Sequence, residues 1–157
     1  MGIEQVRNYF KQFNRDQDIV EMNISTATVS DAAKALGVKP ARIAKSISLK
    51  KGETAIIVVT AGDMKLDNNK FKSHFGYKAR MLCAEEALQF TGHAVGGVCP
   101  FGLPSGIAVY LDVSLKRFQT VFPACGSGNS AIELNMEDLN KHSRNIERVD
   151  VCKIIYP

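Results

Sequence analysis

The sequence of 157 residues has no long hydrophobic segment. No window approaches the ~18 consecutive apolar residues of a membrane-spanning helix. The first residues also lack the basic segment followed by an apolar run that marks a secretory signal. These absences argue against a membrane partner, and we expect a cytoplasmic protein.

Closely spaced metal-ligand pairs are also missing. The four cysteines, Cys83, Cys99, Cys125 and Cys152, stand far apart, without a C-x-x-C pair and without histidine at zinc-ligand spacing. We interpret them as separate thiols and expect neither a metal site nor another cofactor.

The chain contains no internal repeat, linker or low-complexity tract. Its hydrophobic fraction of 45% and charged fraction of 23% are those of an ordinary globular protein. We therefore expect a single domain over residues 1–157, long enough to bury a substantial core. The net charge of +4 permits an anionic partner without requiring one.

Capping residues and apolar spacing predict five helices. The first covers residues 2–14, the second follows the N-cap Thr28 and stops at Gly37, and the third is opened by Asp67. The remaining two are "AEEALQFTG" and a helix capped by Asn135.

Apolar runs predict strands between these helices. They are "AKSISLKKGE", "TAIIVVTAG", "KARML", "GIAVYLD", residues 121–124, "AIEL" and residues 149–155. Because helices and strands alternate irregularly, we expect an α+β domain with a mixed, strongly curved sheet flanked by helices.

Lys45 lies within the predicted strand "AKSISL". Alternation places it on one face with Ile47 and Leu49, and Ser46 on the other face. A partly desolvated ammonium either extends to solvent or meets an anion. Lys45 is therefore either a strand-end lysine or a cation facing a ligand.

The segment "GGVCPFG", Gly96 to Gly102, combines three glycines with Pro100. Bent glycine backbone can direct N–H groups at an oxyanion or a phosphate, and a proline would fix the bend. The same composition is also typical of a surface turn. Cys99 in this segment is a candidate nucleophile with His93 as its base, although a buried thiol and a structural or pocket-rim histidine are the alternatives.

Two further turns and a set of basic residues are candidates for ligand contact. "TAGD" places Gly62 and Asp63 after a strand, and "CGSGNS" contains Gly126, Ser127 and Ser130. Each is either a ligand-facing loop or only a turn. The basic residues, which are either a solvated surface or a track for a phosphate backbone, are Lys65, Lys70, Lys72, Lys78 and Arg80, with Arg42, Lys50 and Lys51 elsewhere.

Four segments in order resemble the YbaK/EbsC family, the free-standing relatives of the editing domain inserted in bacterial prolyl-tRNA synthetase. They are "KPARIAKSI", "VTAGDMKLDNNKF", "GHAVGGVCPFGLP" and "ACGSGNSAIELN", and the resemblance covers roughly residues 20 to 145. It implies a YbaK-like fold. It also implies an aminoacyl-tRNA deacylase that hydrolyses mischarged tRNA in trans.

The resemblance also implies roles for individual residues. Lys45 matches a lysine that holds the tRNA acceptor end or the aminoacyl ester. The segment from Gly96 to Pro100 matches a G-x-x-x-P loop that lines the pocket around the aminoacyl group, so Gly97, Val98 and Cys99 belong to the predicted site. Gly126 and Ser127 match a Gly-Ser turn, Asp63 matches an acidic position, and Ser46 stands where threonine is frequent.

The implied reaction is attack of water on the aminoacyl ester, with loop amides near Gly96 and Gly97 stabilising the oxyanion. Candidate substrates are small amino acids such as Ala, Ser, Cys or Thr. The partners would be the tRNA acceptor end and an aminoacyl-tRNA synthetase, and the sequence does not predict an oligomeric state. The alternatives are a non-catalytic module that binds the acceptor end or a nucleotide, and a hydrolase that depends on Cys99.

Overall fold

A computed structural model describes residues 2–155 of the protein. Its centre is a mixed, strongly curved sheet of six strands, which confirms the predicted α+β fold. Ten strands, β1 to β10 in chain order, are Val20–Glu21, Ile43–Lys51, Thr54–Ala61, Met64–Leu66, Ala108–Asp112, Thr120–Pro123, Ser130–Ala131, Leu134–Asn135, Glu147–Val149 and Cys152–Ile154. The six-stranded sheet has the order β8-β6-β2-β3-β5-β9.

The sheet is built around the hairpin of β2 and β3, which pair antiparallel along their length. β5 and β9 continue the sheet in parallel on the β3 side, and β6 pairs in parallel with β2. Two small sheets, β1-β7 and β4-β10, complete the structure. β3 is buried along almost its whole length, as its uninterrupted apolar run predicts.

Five helices surround the sheet within the described residues. α1 to α5 are Ile3–Lys11, Val29–Leu36, Asn68–Phe75, Ala84–Thr91 and Met136–Ser143. The predicted caps are confirmed, because Thr28 accepts a hydrogen bond from Asp31 N (3.0 Å) and Asn135 accepts one from Asp138 N (2.7 Å). No helix in residues 2–155 is long and apolar enough to cross a membrane.

The core has a main part on each face of the curved sheet. One part contains Ala44 of β2 and is closed by Phe10 of α1, and the other contains Ile47 and Leu49 of β2 and is closed by Phe71 of α3. Adjacent residues of β2 therefore face two different environments.

Three strand predictions need correction. "KARML" is not a strand, because only Met81 forms an isolated bridge, with Leu49. "AIEL" and the predicted C-terminal strand are each divided into two short strands that pair with different partners. β1 and β4 were not predicted, since strands of two and three residues carry too little periodicity.

Candidate active site

The outer edge of β2 is interrupted midway along the strand. β6 pairs with only the first two residues of β2. Farther along, Leu82 N donates to Ser48 O (3.0 Å) and Lys50 N donates to Arg80 O (2.8 Å). Among the described residues no strand pairs with residues 45–47 on this side. The gap leaves strand backbone facing a cavity.

This cavity has a volume of about 270 Å³ and lies between β2, the start of α2, α4 and the glycine segment. Most of its walls are small or apolar side chains, which include Ala27, Val29, Ala32, Ala44, Ala87, Val95, Val98, Ala124 and Ala131. Lys45 is the one ionisable residue among those lining it. We refer to this cavity as the β2-edge pocket.

The pocket contains hydrogen-bonding groups of the main chain. Ser48 and Lys50 direct their backbone groups to the outer edge of β2, so the two-residue period directs those of Ser46 there as well. Within residues 2–155 the N–H of Gly96 makes no backbone hydrogen bond, and no strand pairs with Ser46 on the outer side of β2. Both residues line the pocket and are candidate donors to a bound oxyanion.

The glycine segment is held by close backbone contact. A Cβ on Gly97 would lie 2.5 Å from Ser127 N, so only glycine lets the segment pack against the Gly126–Ser127 turn. The N–H of Gly97 donates to Ala94 O (2.9 Å), whereas Gly96, with φ of 95°, lines the pocket. Gly96 is therefore a candidate hydrogen-bond donor to a ligand, whereas Gly97 is a packing residue.

The Lys45 ammonium is held on the side of β2 that carries Ile47. It donates to Met64 O (2.6 Å), and burial lowers the pKa of Lys45, with the nearby Asp63 carboxylate acting in the opposite direction. An ammonium has three donors, so this contact does not exhaust it. Asp63 does not line the pocket but pairs with Arg117 through two hydrogen bonds (3.0 and 2.6 Å), which lower the pKa of Asp63.

His93 and Cys99 form a buried pair in the core. The two lie 3.6 Å apart (Nε2 to Sγ), and His93 Nε2 donates to Phe101 O (2.9 Å). Burial raises the pKa of Cys99 to about 12 and lowers that of His93. Since the thiolate is the nucleophilic form, a fully buried neutral thiol is unsuited to attack, and neither side chain lines the pocket.

The other predicted residues lie at the pocket, behind it or away from it. Val98 lines it beside Gly96. Ser127 supports it from behind, through a hydrogen bond between its Oγ and that of the lining residue Ser130 (2.6 Å). Pro100 lines a separate cavity of about 240 Å³.

Sequence reasoning missed Thr26, whose hydroxyl oxygen is buried at the pocket without a hydrogen-bond partner among the described residues. The run "STAT" directly before α2 is the signal that could have found it, since hydroxyl side chains occur there in addition to the N-cap Thr28. No group of three or more metal-ligating side chains occurs in residues 2–155.

Several known proteins that resemble this chain are connected with aminoacyl-tRNA editing or with proline–tRNA ligase. Residues 24–142 match the family model for the aminoacyl-tRNA editing domain. The chain is 54% identical over 154 residues to the uncharacterised protein YwhH of Bacillus subtilis (strain 168), covering 98% of each. It is 30% identical over 124 residues to the proline–tRNA ligase of Pelobacter propionicus, where the match covers 77% of this chain and only 20% of the ligase.

A solved structure is also similar to this chain over almost its whole length. A crystal structure described as a candidate trans-editing enzyme for prolyl-tRNA synthetase superimposes with a TM-score of 0.86 at 26% identity, covering 96% of both chains. The family match extends from the approach to α2 into α5 and so includes the whole β2-edge pocket. The chain belongs to the family of aminoacyl-tRNA editing domains.

Proposed function

We propose that this protein is a deacylase that acts in trans and hydrolyses the ester of mischarged tRNA carrying a small amino acid. The observation that carries the proposal is the β2-edge pocket, a cavity of about 270 Å³ with mostly small apolar walls in a chain of the editing family. Backbone donors and a lysine line the same cavity. A small aminoacyl group on the 3′-terminal adenosine fits a site of this size and composition.

The proposed reaction is direct hydrolysis. The oxygen of water attacks the ester carbonyl carbon, the bond from that carbon to the ribose oxygen breaks, and the water-derived proton passes to the ribose. The N–H groups of Ser46 and Gly96 would stabilise the oxyanion, since donors placed on developing charge supply a large part of catalysis. The products are the free amino acid and uncharged tRNA.

Proton transfer in this scheme relies on the substrate. Lys45 is the single ionisable residue lining the pocket, and it is a poor base while its ammonium is protonated. A ribose hydroxyl or the aminoacyl side chain would therefore guide the attacking water. We assign Lys45 the role of holding the acceptor end, with its ammonium moving from Met64 O to the substrate or bonding both.

The proposed partner is the acceptor end of a charged tRNA in the cytoplasm, with an aminoacyl-tRNA synthetase as a second candidate. Lys50 and Arg80 belong to the segments that bond at the end of the pocket edge, and both side chains pair with Glu86. The net charge of +4 suits a phosphate backbone.

The test measures release of labelled amino acid from tRNA charged with Ala, Ser, Cys, Thr or Pro. Wild type is expected to release one or more of the small amino acids faster than the uncatalysed reaction, and Lys45→Ala is expected to lose most of that rate. Cys99→Ala serves as the comparison, since the buried thiol has no role in the scheme.

A second function, binding of the acceptor end without hydrolysis, is favoured by the absence of a carboxylate or histidine among the lining residues. Saturable tRNA binding with no release from any charged species would support that module. The same result would overturn the deacylase proposal.

A further inference from the structure

Two hydroxyl groups in the β2-edge pocket are buried without a partner. Thr26 is 6% exposed, and its Oγ1 makes no hydrogen bond within the described residues. The Oγ of Ser46 is likewise buried and unpartnered. Both residues line the same cavity, Thr26 from the segment before α2 and Ser46 from β2.

Two other hydroxyl groups that line the pocket have hydrogen-bond partners, unlike those of Thr26 and Ser46. Thr28 Oγ1 accepts from Asp31 N (3.0 Å), which caps α2. Ser130 Oγ bonds to Ser127 Oγ (2.6 Å). A buried hydroxyl without a partner costs free energy that a ligand can recover, so Thr26 and Ser46 point to a polar group on the occupant.

The chemistry of the walls limits what that group is. The surrounding lining is largely alanine and valine. Of its other polar side chains, those of Thr28, Ser130 and Lys45 are already hydrogen-bonded to protein groups, which leaves Ser48 as one further hydroxyl. A methyl group entering this space would leave both hydroxyls unsatisfied, whereas a hydroxyl group both donates and accepts and can bond to both. A pocket that pairs with a hydroxyl rejects the analogue lacking it far more strongly than a purely apolar pocket does.

We propose that the β2-edge pocket selects aminoacyl groups bearing a side-chain hydroxyl, serine and threonine, over alanine, with Thr26 and Ser46 as the specificity residues. This inference rests on the deacylase function proposed above. It assigns the unpartnered hydroxyls to the substrate side chain. The α-amino group and the ribose, which every aminoacyl-tRNA carries, could use them only without discriminating between amino acids.

The experiment charges one tRNA with Ser, Thr or Ala and measures kcat/KM for release of each. Wild type is expected to favour Ser and Thr over Ala by at least about tenfold. Thr26→Val and Ser46→Ala, which remove one hydroxyl each and keep the backbone N–H, are each expected to lower the ratio of Ser and Thr release to Ala release by about tenfold. The ratio, which a general loss of folding would not change, is the readout.

Matched controls keep the chemistry of each substitution. Thr26→Ser retains the hydroxyl and is expected to retain the preference. Thr54→Val at the start of β3 and Ser73→Ala on exposed α3 remove hydroxyls away from the pocket and are expected to leave every rate unchanged.

Equal release of Ala and Ser by wild type would overturn the inference while leaving the deacylase intact. A uniform fall for all three substrates in Thr26→Val and Ser46→Ala would also overturn it, by assigning the hydroxyls to the common part of the substrate. If wild type released nothing, the deacylase proposal would fail. Equilibrium binding of amide-linked 3′-seryl and 3′-alanyl adenosine analogues would then decide: a seryl preference supports the selectivity, and equal affinity overturns it.

Discussion

The two faces of β2 carry different chemistry at neighbouring residues. On one face the Lys45 ammonium bonds to Met64 O near the ion pair of Asp63 with Arg117. On the other, Ser46 contributes an unpartnered hydroxyl to a cavity with mostly apolar walls. Both residues line the β2-edge pocket, so the strand supplies it with one cation that is already bonded to a protein group and one neutral hydroxyl that is not.

This difference suggests how a pocket can recognise a small neutral side chain. The one ionisable side chain that lines the pocket, Lys45, is bonded to Met64 O, whereas the neutral donors and acceptors in the apolar wall discriminate by whether they find partners. The predictions below test the separation of the two faces, beginning with the largest expected effect.

Gly97→Ala is expected to disrupt the pocket face most strongly. Its Cβ would lie 2.5 Å from Ser127 N, so the glycine segment and the turn must move apart. We expect the free energy of unfolding to fall by about 1–3 kcal/mol, as for other overpacked sites. Most of the release activity should be lost as well, because Gly96 and Val98 line the pocket beside it. Urea unfolding and single-turnover release measure the two effects.

Gly52→Ala in the β2–β3 turn is the control for Gly97→Ala. A Cβ there meets no atom within 4 Å, so only the positive φ of 56° opposes it. Release should remain at the wild-type rate. A wild-type unfolding midpoint for Gly97→Ala would contradict the close contact that defines the pocket wall.

Lys45→Met tests the charged face and is expected to lower kcat/KM by about 10- to 100-fold. This is the range expected for one charge-assisted hydrogen bond of about 1.5–3 kcal/mol to the substrate. Lys51→Met, an exposed substitution at the end of the same strand, should leave kcat/KM unchanged. Equal rates for wild type and Lys45→Met would remove Lys45 from the reaction.

The pH dependence of the free energy of unfolding provides a second test of Lys45→Met. Because the pKa of Lys45 is lowered in the folded protein from 10.5, the unfolded chain binds that proton more tightly. Protonated Lys45 therefore costs stability at neutral pH, and the cost is relieved as the pH rises through the folded pKa toward 10.5. The stability of wild type relative to Lys45→Met should accordingly increase with pH over that window, measured by urea unfolding.

Cys99→Ala should have the smallest effect on activity. The thiol is fully buried in the core and its pKa is raised to about 12, so we expect release within about twofold of wild type and a loss of about 1 kcal/mol of stability. In the folded protein iodoacetamide should modify the exposed Cys83 and spare Cys99. Loss of amino acid release in a folded Cys99→Ala variant would support the alternative that Cys99 is the nucleophile.

The features that could be predicted from the sequence are those that depend on interactions between nearby residues. The caps Thr28 and Asn135 and the long β2–β3 hairpin follow from side chains within a few residues of each other. The resemblance carried by four segments, among them "KPARIAKSI" and "GHAVGGVCPFGLP", pointed to the editing family, which the comparisons confirm.

The pocket itself could not be predicted, because it depends on contacts between distant segments. The gap in β2 exists because β6 ends its pairing early and the Arg80–Leu82 segment bonds only farther along. Likewise, nothing near Gly97 in the sequence indicates that it packs against Ser127, or that Thr26 ends up beside Ser46.

The most direct test of the central claim follows backbone amide chemical shifts while amide-linked 3′-seryl adenosine is titrated into the protein. We predict saturable shifts at Ser46, Gly96 and Thr26, which line the β2-edge pocket. Shifts confined to His142 and Arg144, at the separate cavity lined by Pro100, with none at the β2 edge, would contradict the account.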